Sequence, residues 1–393
     1  MQNNPVIVDI VRSPMGRGKA GGSLSQLHPV DLLSQTIAGL LARNSSLDPA
    51  LVDDVVVGCV SQAGEQGFPP GRSAWLAAGL PVHVPSTTVD RRCGSSQQAL
   101  HFAVQAIASG DYQIALAGGI ESMSRVPMGS ARLGQDVFGK GYCARYPVDV
   151  GQGVAAELVA ARWQISREEM DACAVRSHDL ADARRRDGSL AREIVPIVTP
   201  EGTVGEDETI RPGTTVEGLG QLRTAFNNDA IAAEFPQINW SVTAGNSSQI
   251  TDGAAMTLVM AEAAATRLGL TPRARIVALD VIADDPLLML TAPIPATRRV
   301  LRKAGLTADA IDHFEVNEAF ASVPLAWQRE MQIDPARLNP RGGAIALGHP
   351  LGASGTRLLA SLMNGLEETG GRFGLQTMCE AGGQANATII ERL

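Results

Sequence analysis

Leu47-Asp-Pro-Ala-Leu-Val-Asp-Asp-Val-Val-Val57 and Leu306-Thr-Ala-Asp-Ala-Ile-Asp-His-Phe-Glu-Val316 are two versions of one phrase. Each gives a leucine, a turn with an acidic residue, an apolar pair, an aspartate and then a strand, at an offset of 259 residues (306 − 47). The same offset carries Cys93, in Val89-Asp-Arg-Arg-Cys-Gly-Ser-Ser-Gln-Gln-Ala-Leu100, to Gly352, in Gly348-His-Pro-Leu-Gly-Ala-Ser-Gly355. Both segments open a helix, and both helices lead to a strand and a glycine pair. A strand, elbow, helix, strand and glycine pair in the same order mark an internal duplication. Duplicated units of alternating strands and helices predict a layered α/β architecture in which helices cover each sheet.

Working outward, Pro5–Val11 reads as a first strand and Leu27–Leu41 as an amphipathic helix. Val52–Val60 reads as a buried strand with Cys59 in its core, Ser73–Gly79 as a short helix, and Tyr112–Ala117 as a strand ended by Gly118-Gly119. In the second copy the expected helix is Thr356–Leu366 and the expected strand Phe373–Met378. Between the copies, roughly Ile120 to Asn246, lies a segment rich in Gly, Arg and Met, with helices expected at Ala155–Trp163 and Arg167–Asp187. It reads as an inserted loop domain. The division is 1–119 plus 250–268 for the N-terminal half, 120–249 for the loop domain, and 269–393 for the C-terminal half.

Composition narrows the function. The chain has 393 residues, 45% of them hydrophobic, enough for a large core. Its net charge of −8 and pI of about 5.4 argue against a nucleic-acid surface. No apolar run approaches the roughly 20 residues of a membrane span, and the first residues lack a signal peptide's basic start and long apolar core. A cytoplasmic protein is expected. Five scattered cysteines (59, 93, 143, 173, 379) without a C-x-x-C pair point to reduced thiols, with neither a disulfide framework nor a metal site.

The candidate chemistry sits at the elbows. Cys93 lies between a β-prone run and a helix start, where free backbone N–H groups and the helix dipole favour a thiolate; the bland alternative is a buried small apolar residue. Gly94 removes bulk beside the sulfur. His349 is the glycine-flanked histidine of the equivalent elbow and the best candidate for a base. Asn317 and Glu318 follow a strand, where polar functional groups are common. Cys379 stands in Thr377-Met-Cys-Glu-Ala-Gly-Gly-Gln384, whose glycines permit turns that aim N–H groups at an oxyanion. A thiol nucleophile needs a base and oxyanion donors. A second cysteine makes sense if carbon is protonated or deprotonated in a separate step. Arg125, Arg132, Lys140, Arg145 and Arg211 could meet a phosphorylated ligand. Dinucleotide binding is disfavoured, because neither G-x-G-x-x-G after a strand nor G-x-x-x-x-G-K-[ST] occurs.

These segments, with Ala117-Gly-Gly-Ile-Glu-Ser-Met-Ser124, Val242-Thr-Ala-Gly-Asn-Ser-Ser-Gln-Ile-Thr-Asp-Gly-Ala-Ala255, Val316-Asn-Glu-Ala-Phe320 and Gly342–Gly355, resemble the signatures of the thiolases over nearly the whole chain. The resemblance implies the duplicated thiolase fold, two layered αβαβα halves with an inserted loop domain, and coenzyme A thioesters as substrates. It also implies at least a dimer, either a homodimer or a homotetramer, and no tightly bound cofactor. By the same resemblance Cys93 is the acylated nucleophile, His349 activates it, and Cys379 is the second acid and base. His349 with a water on Asn317 forms one oxyanion site, and the N–H groups of Cys93 and Ala381 form the other. Arg211, Ala244, Gly245 and Ser248 match coenzyme A contacts.

Ala381 and Ser96 replace usual glycines, Gly218 stands where a coenzyme-contacting serine is common, and Val150 takes a pocket position where short-chain biosynthetic members carry methionine. Gly58–Gln66 and Trp75–Pro81 look more like degradative actinobacterial thiolases, including those that act on steroid side chains. A thiolase cleaving 3-oxoacyl-CoA is therefore expected. The alternatives are an acetoacetyl-CoA thiolase and a non-catalytic, thiolase-like acyl-CoA-binding protein. A decarboxylating condensing enzyme, which pairs its nucleophile with two histidines or with histidine and asparagine, is disfavoured by Cys379.

Overall fold

Seven of the eight residues of strand β1 (Pro5–Arg12) are buried. Burial on both faces, in place of alternation, is what a sheet enclosed by helices requires. The structure is a computed structural model and describes residues 3–146, 148 and 150–393, so the first two residues of the expected N-terminal half lie outside the described residues.

The first half continues with α1 (Pro29–Arg43), whose N-terminus is capped by the His28 imidazole accepting from the Val30 amide. It then runs through β2 (Asp54–Gly58), α2 (Pro70–Ala77), β3 (Ser86–Val89), α3 (Ser95–Ser109) and β4 (Ile114–Ser122). The intervening segment carries α4 (Gly151–Arg162) and α5 (Arg167–Arg186), the latter opened by a reciprocal Ser166–Glu169 capping box. Next come β5 (Thr251–Ala261), β6 (Ala274–Ala283), α6 (Pro293–Ala304), β7 (His313–Val316) and α7 (Ser322–Met331). The chain closes with α8 (Ser354–Thr369), β8 (Phe373–Glu380) and β9 (Gln384–Arg392).

The duplication is present residue for residue. Helices α3 and α8 begin 259 positions apart (354 − 95), and so do strands β4 and β8 (373 − 114). Strands pair in the order β7-β8-β9-β6-β1-β5-β4-β2-β3. The halves meet in a short antiparallel contact of β1 with β6, Val6 opposite Arg275 and Ile7 opposite Ala274. Helix α3 packs on β2 and β4, α8 packs on β7 and β8, and the two helices pack on each other between the halves. With α1 and α2 outside one half and α6 outside the other, the layers run αβαβα. All residues from Ser354 to Leu366 are buried, as the central layer demands. The intervening segment has its own apolar cluster, in which Val154, Leu158, Met170 and Val242 meet Phe320 and Val323 beside the second half.

Gly118-Gly119 does not end a strand; β4 runs on to Ser122. A Cβ on Gly119 would lie 2.0 Å from the carbonyl oxygen of Gly352, and one on Gly58 would lie 2.8 Å from that oxygen. The glycines are there because the second elbow lies backbone to backbone against β2 and β4 of the first half. Glu121 completes the join: its buried carboxylate accepts from the amides of Val60 (3.0 Å), Ser61 (3.0 Å) and Gly352 (2.9 Å) and from the Gln66 side chain (3.1 Å). Ser96 adds a further tie, its hydroxyl accepting from the Thr356 amide of α8 at 3.0 Å.

Gly119→Ala forces backbone to move at this contact. We expect it to destabilise the protein by about 3 kcal/mol, the upper end of overpacking costs, measured as a lowered thermal unfolding midpoint; an unchanged midpoint would show that the second elbow lifts freely off β4.

Candidate active site

The first elbow is built by short polar bonds. The Asp90 carboxylate accepts from the Arg92 amide (2.7 Å), while the Ser95 hydroxyl accepts from the Arg91 amide (2.9 Å) and donates to the Arg92 carbonyl (2.5 Å). Together they hold Arg92 in the left-handed region at φ 49°, an uncommon conformation for a side-chain-bearing residue. The chain thereby reverses, and Cys93 emerges at the head of α3. Gly94 has an ordinary φ of −85°. Its lack of a side chain serves space: a Cβ there would lie 1.8 Å from Glu380 Oε1. The room made beside the nucleophile belongs to Glu380.

The second elbow presents His349. Gly348 sits at φ +84°, and the His349 amide donates to Thr251 Oγ1 at 3.0 Å. On the ring, Nδ1 lies 2.6 Å from Ser354 Oγ, and that hydroxyl is 2.8 Å from the Pro350 carbonyl. Ser354 has one proton and gives it to the carbonyl, so it accepts from Nδ1–H. The tautomer assigned from this network leaves Nε2 without a proton, 3.4 Å from Asn317 Nδ2. The free ring nitrogen is thereby directed towards Asn317, as a base would need. Glu318, next to Asn317, turns away to accept from Ser177 Oγ (2.7 Å), Asn339 Nδ2 (3.1 Å) and the Ile345 amide (3.1 Å); it anchors the loop.

Cys93, His349 and Cys379 line one cavity of about 150 Å³. Met128, Phe226, Leu290 and Phe320 give it apolar walls, and Ser247, Ser248 and Gln249 a polar one. A larger cavity of about 260 Å³ lies between α5 and α7 against Cys173 and Glu318. The Glu318 carboxyl there is already engaged as above, and burial raises the Cys173 thiol's pKa. The reactive constellation is in the smaller cavity.

Electrostatics correct one expectation. The helix dipole does not make Cys93 a resting thiolate: burial, reinforced by Glu380 and Glu121 against the opposing Arg92, pushes its pKa up to about 12. Burial, then the charge of Arg357, lowers His349 to about 3. Cys379 is raised well above an ordinary thiol by burial, Cys93 and Glu380. The resting site is thus a neutral thiol beside a neutral imidazole, and charge forms only as a proton moves.

The remaining predicted residues fall around this centre. Ala381 is in the turn joining β8 to β9, not on the cavity wall, and is not among the residues of positive φ. Ser248 reaches the cavity wall, whereas Ala244 is exposed and Gly245 is buried against Leu219 and Leu222. Arg211 connects to the wall indirectly, donating to Gln249 Oε1 at 3.0 Å. Val150 is not on the cavity wall itself; it is buried one layer behind it, in the apolar cluster that also contains Leu290, Phe320 and Cys379. Arg125 is engaged by Glu65. Sequence reasoning missed Ser354, Gln249, Thr251 and Glu380. Ser354 was findable, since it stands 259 positions after Ser95, the serine that shapes the first elbow (354 − 95).

A duplicated αβαβα fold that brings two cysteines and a histidine to one cavity, with an asparagine against the histidine ring, is the design of a thiol-dependent acyl-transfer enzyme. The chain belongs to the thiolase family: residues 5–263 match the thiolase N-terminal domain and residues 270–392 the thiolase C-terminal domain. It is 46% identical over 396 residues to the steroid 3-ketoacyl-CoA thiolase FadA6 of Mycobacterium tuberculosis, covering 98% of this chain and 94% of that one. It is 45% identical over 400 residues to the 3-ketoacyl-CoA thiolase of Pseudoalteromonas translucida, covering 100% and 99%. Among solved structures, the acetyl-CoA acetyltransferase of Bacillus anthracis superposes with a TM-score of 0.88 at 34% identity, covering 100% of this chain and 99% of that one.

Ser354→Ala leaves the buried Nδ1–H unsatisfied and the ring free to change tautomer. We expect kcat to fall about 10- to 100-fold, part of the 10²–10⁴ a general base contributes, with unchanged circular dichroism. Full turnover would show that the serine does not orient the base.

Proposed function

We propose that this chain is a 3-oxoacyl-CoA thiolase, an acetyl-CoA C-acyltransferase that uses coenzyme A to release acetyl-CoA and a shortened acyl-CoA. The observation that carries the reading is that two sulfurs from different repeats and the free nitrogen of one imidazole share a small, largely apolar cavity. One cysteine with a base would suffice for hydrolysis. The second has a role when a carbanion is made or quenched.

In the forward reaction the Cys93 thiol gives its proton to His349 Nε2, and the sulfur bonds to the 3-keto carbon. The C2–C3 bond breaks, the acyl group stays on Cys93, and the departing acetyl-CoA enolate takes a proton from Cys379. Coenzyme A then gives its thiol proton to Cys379, and its sulfur displaces Cys93 from the acyl group. Cys93 leaves as a thiolate and regains the proton from His349. Because Cys93 and His349 are both neutral at rest, charge on them appears only once substrate is attacked and is cancelled when Cys93 regains its proton, and the buried, largely apolar cavity strengthens every dipole aimed at the developing charge. Asn317 Nδ2 lies beside Nε2, where it can hold a water against the enolate oxygen. The N–H groups of Cys93 and Ala381 are assigned to the tetrahedral oxyanion, and an alanine supplies that donor as well as glycine does when φ is negative.

Ser248, with Arg211 acting through Gln249, and Ala244 and Gly245 just before it, are assigned to the coenzyme. The chemistry needs no tightly bound cofactor, since nucleophile, acid and base are all side chains. Assembly as a homodimer or homotetramer is supported by β3, which ends the sheet with one edge unpaired. Among the described residues no helix is long and apolar enough to cross a membrane; we take the enzyme to act in the cytoplasm. An acyl group longer than two carbons is favoured over acetoacetyl-CoA by the Phe226, Met128 and Leu290 walls and by the names of the relatives at 45–46% identity. Thiolysis rates over 3-oxoacyl-CoAs from four carbons to steroid-sized test that preference; a preference for acetoacetyl-CoA would overturn it.

Cys93→Ser is expected to abolish the acyl-enzyme, read as loss of the acyl mass adduct after mixing with acyl-CoA; the same adduct in the variant would remove the nucleophile assignment. Asn317→Ala is expected to lower kcat about 10²–10³-fold, the cost of one oxyanion donor, and full activity would displace the water site from Asn317.

A further inference from the structure

Glu380 follows Cys379 on β8, so strand alternation turns its side chain to the opposite face, under the first elbow. There it occupies the space that Gly94 leaves empty, at the head of the fifteen-residue helix α3, immediately beside the nucleophile. Its carboxyl is fully buried, and neither oxygen has a hydrogen-bond partner. A buried carboxyl without a partner is costly as an anion, so it needs a functional reason or a proton.

The groups facing it are few. Arg91, from the turn before α3, is the charged side chain whose field reaches it. Arg91 is directed elsewhere, however: Nη1 donates to Gln384 Oε1 of β9 at 2.9 Å, and no ion pair with Glu380 forms. From β9, the Asn386 backbone N–H faces the carboxyl and favours its anion, but too weakly to count as a formed hydrogen bond to either oxygen. Cys93 lies above it and Cys379 behind it, and a negative charge on Glu380 opposes a thiolate at either. Glu121 adds to that opposition at Cys93, while Arg92 offsets part of it.

We propose that Glu380 is a positioning residue for the nucleophile, a carboxyl that stays protonated while the enzyme works and whose ionisation suppresses thiolate formation at Cys93 and Cys379. Its placement at the helix head gives it the same backbone N–H field that the developing thiolate uses, so only one of the two can be an anion there at modest cost. The sign follows. Below the ionisation of Glu380 the acid is neutral and the thiols are not penalised. Burial places that ionisation at about 8, and above it the penalty applies. Thiolate formation therefore rises with pH less steeply than for a free thiol, and the alkaline side of the activity profile is set by a residue that never touches substrate.

The inference rests on Cys93 being the nucleophile, and the test separates the two. Iodoacetamide inactivation of the full-length enzyme is followed from pH 6 to pH 10, with the alkylated residue identified by mass. The E380Q variant, similar in shape and unable to ionise, is expected to match the wild type at pH 6.5 and to react about tenfold faster at pH 9, the thiolate gain for one pKa unit. Thiolysis kcat is expected to show the same divergence with KM for coenzyme A unchanged, whereas a merely structural loss would lower activity at every pH. The wild type alone carries a second reading should E380Q fold poorly: because Cys93 itself ionises above this range, a flattening of its alkylation rate near pH 8 supports the proposal, and a rise of constant slope from pH 6 to pH 10 overturns it. Superimposable profiles also overturn it. Inactivation without modification of Cys93 would instead remove the nucleophile assignment.

Discussion

The backbone contact between the second elbow and strands β2 and β4 of the first half is the constraint from which the site follows. A carbonyl oxygen at Gly352 sits where side chains at residues 58 and 119 would have to be, and one carboxylate, Glu121, gathers amides from both halves at the same point. Each half alone would expose these amides and that charge. Brought together, they satisfy one another in a dry interior, and an unmade partner there costs about 1–3 kcal/mol or more. The closeness of the contact also fixes the reach of the chemistry, because Cys93 and His349 can share a cavity only if the helix heads that carry them nearly touch.

The same closeness explains why the site is neutral at rest. Burying both helix heads removes water from thiol and imidazole alike, and desolvation outweighs the help a helix terminus gives a thiolate. Catalysis then turns on a proton passing between two neutral groups whose orientations are fixed beforehand. That is why Ser354 matters: with charge absent, the tautomer decides whether His349 can accept at all.

How far the sequence carries can be judged residue by residue. The repeat was legible because its strands, turns and helix starts keep one spacing, and Cys93, His349 and Cys379 were legible because polar or reactive groups interrupt glycine-rich, apolar surroundings. Gly118-Gly119 was misread as a strand end because glycine signals both a turn and a close approach, and only the partner surface distinguishes them. Gly94 does remove bulk beside the sulfur, but what fills the space could not be read locally: the atom it makes room for belongs to a residue 286 positions away (380 − 94). Val150 is expected at the pocket on resemblance alone, and it lies in the apolar cluster behind the cavity wall, with Leu290, Phe320 and Cys379. The sign of the Cys93 shift could not be read locally, since it depends on burial contributed by the other half.

Duplication also explains how an asymmetric reaction can be built from a symmetric frame. Subtracting 259 places His349 over Asp90, Gly352 over Cys93, Asn317 over Gly58 and Cys379 over Ile120. At each of the four positions one copy carries the reactive or polar group that the chemistry uses, and its counterpart serves the frame. Asp90 shapes a turn, Gly58 and Gly352 permit the approach, and Ile120 packs in the core. The paired serines diverge in the same way. Ser95 spends both its hydrogen bonds on backbone, while Ser354 turns one of them to the imidazole. A single small cavity between the halves has room for one nucleophile and one base, so a second set would put like groups against each other in a buried, largely apolar space. The division of labour between the copies is therefore a consequence of packing them so tightly.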